Sequence, residues 1–364
     1  MIARVGVPLV LACLAAAPAG CEPGTQAPAP RPVAPRRQTQ PASAPAAPPG
    51  FLAAVGYSAK TDPVAAAEEA ARKALAPCRA AGAHPAGAIF LERIAGTTPA
   101  DGDRIARAVA KITGAATFGQ GDLDAAGSGG GASRRGVAGL MVLVLAGKDV
   151  RVRGLALGGA VEHVNPHDPA HTARYRTLRE ACTNLGRSLG ARLAATDKPA
   201  LVLALGAVEG EWSSLLFTAL RDRLGADVPL VGAAGGWNSY VCAEGAPAGP
   251  GVLAVAVAGD LRVAVETVAS RDPWDAQVAL AEARRAAAAV AKRLAPDRAA
   301  LALAFSAAGR AAGAQAERTA VEQALGAGVA LFGCSTLGEA GAAAAAPLSA
   351  GCARFVLCGV AERE

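Results

Sequence analysis

From Phe51 onward, short continuous apolar runs alternate with Ala-rich amphipathic stretches, and the order of the two repeats three times along the chain. Apolar runs at Ala86 to Leu91, Ala200 to Leu205 and Ala300 to Phe305 read as buried strands. Each precedes a helical spacing, Ile105/Val109/Ile112, Phe217/Leu220/Leu224 or Val321/Leu325, that ends at Gly114, Gly225 or Gly326, where a left-handed cap is wanted. Short strands ending in glycine follow (Ala116 to Gly119, Pro229 to Gly232, Ala330 to Gly333), and then a fourth apolar run (Leu140 to Ala146, Val252 to Ala258, Ala353 to Val360). Asp-Pro pairs at Asp62-Pro63, Asp168-Pro169 and Asp272-Pro273 open the first helix of each unit, with Asp as N-cap and Pro where no N–H is needed.

The pattern predicts an α/β fold of mixed β-sheets covered by helices, built from three β-α-β-α-β-β repeats of about 105 residues: 51–149, 150–260 and 261–364. Gly259-Asp260, between Val252–Ala258 and Leu261–Val268, and Gly147-Lys148-Asp149 have the composition of tight turns, so successive repeats are expected to join by hairpins. The opening strand Phe51 to Ser58 and the closing strand Ala353 to Val360 are then expected to pair and tie the ends together. Gly127 to Gly136 reads as a flexible surface loop, since it lacks the Lys-Ser/Thr that follows a phosphate-binding loop.

The first 50 residues differ from the rest. Arg4 precedes an apolar run, Val5 to Ala17, which ends in Pro18-Ala19-Gly20-Cys21. Residues 1–20 resemble a bacterial lipoprotein signal, which implies lipidation of Cys21. A plain secretory signal cut nearby, or a shorter segment ending at Cys13, is the alternative. Residues 21–50 are Pro/Ala-rich and read as a semi-rigid tether. The expected location is the bacterial cell envelope, anchored by lipid and facing the extracytoplasmic side. Six further cysteines, at 78, 182, 242, 334, 352 and 358, show no metal spacing, and several lie in apolar runs, favouring buried thiols over disulfides.

Half of the formal charge of +6 falls in those first 50 residues, too little elsewhere for a nucleic-acid surface. His163, His167 and His171 are separated by Pro166 and Pro169, which break a shared helical face, so a structural loop is favoured over a metal site. No cofactor motif is present, and GQGD at Gly119 to Asp122 lacks the third glycine of a dinucleotide fingerprint. Trp237 and Tyr240, beside Gly235 and Gly236, read as packing anchors.

The last unit, ALALAFSAAGR from Ala300, a helix with Glu317 and Glu322, and VALFGCSTLGEAG from Val329, resembles the C-terminal signature of the FIST sensory domain. PALVLALGAV and VPLVGAAGGW in the middle unit resemble that family's N-terminal region. The chain departs from the pattern at Ala307, Cys334 and Ala340. The resemblance implies a sensory domain over residues 51–364 that binds a small molecule, an amino acid being the usual suggestion, with no known catalysis and a separate signalling partner. Strand ends beside glycine loops are where such sheets bind ligands, which selects Ser306, Arg310, Cys334, Ser335 and Glu339. Arg310 would grip a carboxylate and Glu339 an ammonium, or the two would form an ion pair that fixes the loop. The expectation is a membrane-anchored sensory protein in signal transduction, not an enzyme. The alternatives are a hydrolase or transferase using Cys334 or Ser306 with Glu339, and a passive envelope scaffold.

Overall fold

A computed structural model describes residues 49–94, 96–121, 139–158, 171–194, 199–206, 210–235, 239–243, 246–249, 251–307, 310, 314–326, 328–336, 338–351 and 354–363. The first repeat runs β1 (Leu52–Ser58), α1 (Pro63–Ala80), β2 (Pro85–Arg93), α2 (Pro99–Thr113), β3 (Thr117–Gly121) and β4 (Gly139–Ala146). The second runs β5 (Arg151–Gly158), α3 (His171–Ala194), β6 (Leu201–Gly206), α4 (Gly210–Leu224), β7 (Leu230–Ala234), β8 (Tyr240–Ala243), β9 (Ala246–Gly249) and β10 (Gly251–Ala258). The third runs β11 (Leu261–Ala269), α5 (Ala276–Leu294), β12 (Leu301–Ala307), α6 (Ala314–Leu325), β13 (Ala330–Thr336), β14 (Gly338–Ala342), β15 (Ser349–Gly351) and β16 (Arg354–Glu362).

The predicted α/β class, with mixed sheets and covering helices, is what these elements form. Within each repeat the last strand lies between the first and second, antiparallel to both, and the third is parallel to the second: β1-β4-β2-β3, β5-β10-β6-β7 and β11-β16-β12-β13. Strand alternation sorts the side chains. Leu143, Leu145, Leu203, Leu205, Val255, Leu303, Phe305 and Val356 face one common apolar core shared by all three sheets. Their chain neighbours face the helices, forming a separate layer under each helix pair. The helices are Ala-rich because they lie close: Ala66, Ala67, Ala70, Ala71 and Ala74 of α1 are fully buried. At Gly56 of β1 a Cβ would stand 2.0 Å from the Ala70 carbonyl oxygen.

Three expectations are corrected. Successive repeats do not join by hairpins, because β4 and β10 already carry a partner on each edge. No ladder position is left for the following strand, so the chain turns a corner at Gly147 and Gly259, both at positive φ, into the next sheet. The opening and closing strands do not pair: β16 is held between β11 and β12, and β1 pairs with β4. The ends still meet through one bond, the Phe51 N–H donating to the Glu362 carboxylate at 3.1 Å. Third, the second and third repeats hold two short strands each before the fourth apolar run, beyond the six-element unit expected. β8 and β9 extend the first sheet beyond β3, and β14 and β15 extend the second beyond β7, so each hairpin is lent by one repeat to the sheet of the repeat before it.

Caps follow the sequence with one shift. Asp62 accepts the Ala65 N–H at 2.7 Å and Pro63 begins α1. Asp275, not Asp272, caps α5, accepting from Gln277 and Val278, while Asp272 closes a turn on the Trp274 N–H. Asp168, the tract 127–136, Cys21 and residues 1–48 lie outside the described residues.

Candidate functional site

The common core is apolar until the carboxyl ends of the parallel strand pairs. There the registers Leu91↔Gln120, Leu205↔Ala233 and Phe305↔Cys334 give one equivalent inward position in each repeat. Glu339 on β14 stands opposite Ala233 and so faces the same core. An amide, a carboxylate and a thiol therefore replace aliphatic groups at one level of the molecule, and all three are buried.

Glu339 is fully buried, and one of its oxygens, Oε2, accepts the Arg354 N–H at 3.1 Å. Burial, and next the nearby Glu339 charge, push the Cys334 thiol well above the ordinary cysteine range. Cys334 is therefore a thiol rather than a thiolate nucleophile. Gln120 Nε2 donates to the Gly206 carbonyl at 2.9 Å, stitching the first sheet to the end of β6. Its Oε1 is buried with no hydrogen-bond donor among the described residues. Gly235 allows the approach, since a Cβ there would stand 2.7 Å from Gln120 Nε2 and 2.2 Å from Ser239 Oγ.

Of the five ligand-binding residues expected at the rim, the fold brings Cys334 and Glu339 together and separates Arg310 from them. Arg310 lies on the helix-covered side of the third sheet. Its guanidinium is fully buried, paired with Glu282 of α5 and, at 2.9 Å, with Glu317 of α6. It also donates to the Ala279 carbonyl at 2.8 Å and lies 5.0 Å from the Phe355 ring centroid. Both readings of an Arg310–Glu339 pair are thus corrected: strand alternation turns Glu339 inward, while Arg310 stands between the helices. Arg310 clamps α5, α6 and β16 and has no face open to a carboxylate ligand. Ser306 follows Phe305 on β12 and so also faces the helix layer, and Ser335 stands opposite it in register, its side chain outside the described residues.

The reading of sequence passed over Gln120, Glu282 and the Glu92–Tyr240 pair. Tyr240 is the packing anchor expected of it, wedged where a Cβ on Gly102 or Gly121 would stand 2.3 or 2.2 Å from its ring. Its hydroxyl donates to Glu92 Oε2 at 3.0 Å, and Glu92 also accepts the Ile94 N–H and the Thr97 hydroxyl, fixing the turn into α2. Among the described residues no group of His, Cys, Asp and Glu has metal-binding geometry. His163 and His167 lie outside them, as do Trp237 and Gly236. Cys78, Cys182, Cys242, Cys334 and Cys358 are free buried thiols; burial raises Cys182 to about 11 and Cys242 to about 12.

No family model matches the sequence, and no curated protein does. Among solved structures the fold is similar to a cyanuric acid hydrolase described as an evolutionary innovation by structural concatenation, at TM-score 0.41 and 10% identity, over 86% of this chain and 100% of that one. It is similar also to a cyanuric acid hydrolase from A. caulinodans, at TM-score 0.41 and 9% identity, over 86% and 99%. T. maritima PurL complexed with ATP matches at TM-score 0.25 and 13% identity, over 85% and 71%. Likeness at this level carries neither substrate nor mechanism. With Arg310 sealed between Glu282 and Glu317, and two hydrolases among the structures to which the fold is similar, the expectations of a sensory module and of a chain without catalysis are withdrawn.

Proposed function

We propose that the chain is a hydrolase of small uncharged amides, held at the cell envelope through Cys21 and its tether, with Glu339 as the acid–base group. The supporting observation is the polar level in an otherwise apolar core. A buried carboxylate is costly, as is an amide oxygen with no donor among the described residues, and such groups gather where chemistry or binding requires them. Glu339 as carboxylate takes a proton from water as it adds to the carbonyl and returns it to the leaving nitrogen. Gln120 Oε1 accepts an N–H of the substrate, and Cys334, kept protonated, lines the site and does not attack.

The test is hydrolysis of a panel of cyclic and linear amides, cyanuric acid included, by the full chain in detergent. A substrate should be found whose kcat falls at least a hundredfold in Glu339→Gln, with Cys334→Ser within tenfold of wild type and both variants melting near the wild-type temperature. A panel on which wild type and Glu339→Gln are indistinguishable overturns the assignment.

A further inference from the structure

A groove of about 480 Å³ runs between the first and second repeats, where β3 meets β5 and the end of α3. Its apolar lining is Phe118, Val152, Leu155 and Leu193, and its cations are Arg153 and Arg192. The floor is flat because Phe118 lies across β5 at Gly154, where a Cβ would stand 2.2 Å from the ring. Both arginines are exposed and make no hydrogen bond or ion pair among the described residues.

The internal repetition supplies a comparison. The matching groove between the third and first repeats, about 360 Å³, is lined by Ala53, Ala54 and Val55 of β1, with Pro77 near the end of α1. Its arginine, Arg318, is neutralised by Glu322 at 2.7 Å. In the third repeat Arg293 occupies the last turn of α5, as Arg192 does that of α3, but donates to the Val265 carbonyl at 2.6 Å and pairs with Glu266 at 2.7 Å. Of these two grooves, the one between the first two repeats couples an apolar floor to two guanidinium groups that make no ion pair among the described residues.

We propose that this groove binds a small, water-soluble amphipathic anion, its apolar body against Phe118, Val152 and Leu193 and its acidic head group, a carboxylate, sulfonate or phosphate, against Arg153 and Arg192. The volume is that of an ordinary small-molecule site. Arginine suits planar oxyanions through its paired N–H donors. The site is separate from Glu339 and stands whether or not the chain hydrolyses amides.

The probe is 8-anilinonaphthalene-1-sulfonate, titrated by fluorescence into the folded full chain at low ionic strength beside the neutral N-phenyl-1-naphthylamine. One saturable site is expected for the sulfonate, weakened about tenfold in Arg153→Ser/Arg192→Ser, since each exposed charge contributes modestly. The neutral probe should change less than twofold, Arg318→Ser should bind like wild type, and octanoate should compete. Unchanged sulfonate binding in the double variant, an equal loss for the neutral probe, or displacement by phosphatidylglycerol vesicles but not by octanoate would each overturn the proposal. Thermal unfolding of the double variant separates lost binding from lost fold.

Discussion

Replacing Glu317 by Gln isolates the cost of one buried charge. Arg310 sits between Glu282 and Glu317, so the cluster carries one negative charge in excess when both carboxylates are ionised. Burial dominates at Glu317 and raises it from 4.5 to about 7; Arg310 opposes the shift and the Glu282 charge adds to it. The raised value means that the folded state binds the proton more tightly than the unfolded chain. The stabilisation is fully present below pH 4.5 and is lost as pH rises through about 7. At about 1.4 kcal/mol per unit, the loss between pH 4.5 and pH 8 is about 2–3 kcal/mol. Gln at this position carries no proton to lose. Urea unfolding of both proteins at pH 5 and pH 8 should therefore show wild type losing stability relative to Glu317→Gln by about that amount. A difference between the two proteins that stays constant with pH would refute the reasoning.

Tyr240→Phe removes one of the donors to the buried Glu92 Oε2, which still accepts the Thr97 hydroxyl. A loss of about 1–3 kcal/mol in chemical unfolding is expected, and an unchanged midpoint would show that the bond contributes nothing. Gly333→Ala would put a Cβ 1.7 Å from the Ala304 carbonyl oxygen, a contact only backbone movement can relieve. It should lower Tm by more than Gly326→Ala on the exposed cap, and the reverse order would contradict the packing described.

The repeat was legible because its signals are local. Ile105/Val109, the caps Gly114 and Gly225, and the glycine-ended strands require only chain neighbours, and each element forms near its predicted place. Gly119, Gly232 and Gly333 are equivalent positions beside the second strand, where a side chain would meet Phe90, Phe217 or the Ala304 backbone. The hairpins β8–β9 and β14–β15 were not legible, because their strands are only 3 to 5 residues long and their partners, β3 and β7, belong to another repeat. Strand pairing across repeats leaves no local period.

The candidate site divides along the same line. Sequence by itself determined that Glu339 and Cys334 stand beside glycine-rich strand ends, that the helices are Ala-rich, and that three similar units follow one another along the chain. Which way each polar group points was decided by tertiary structure. Glu339 faces inward through its register with Ala233, and Arg310 goes outward to Glu282 and Glu317. One residue of strand alternation separates the two faces of a sheet, and that register is fixed by hydrogen bonds to strands distant in the chain.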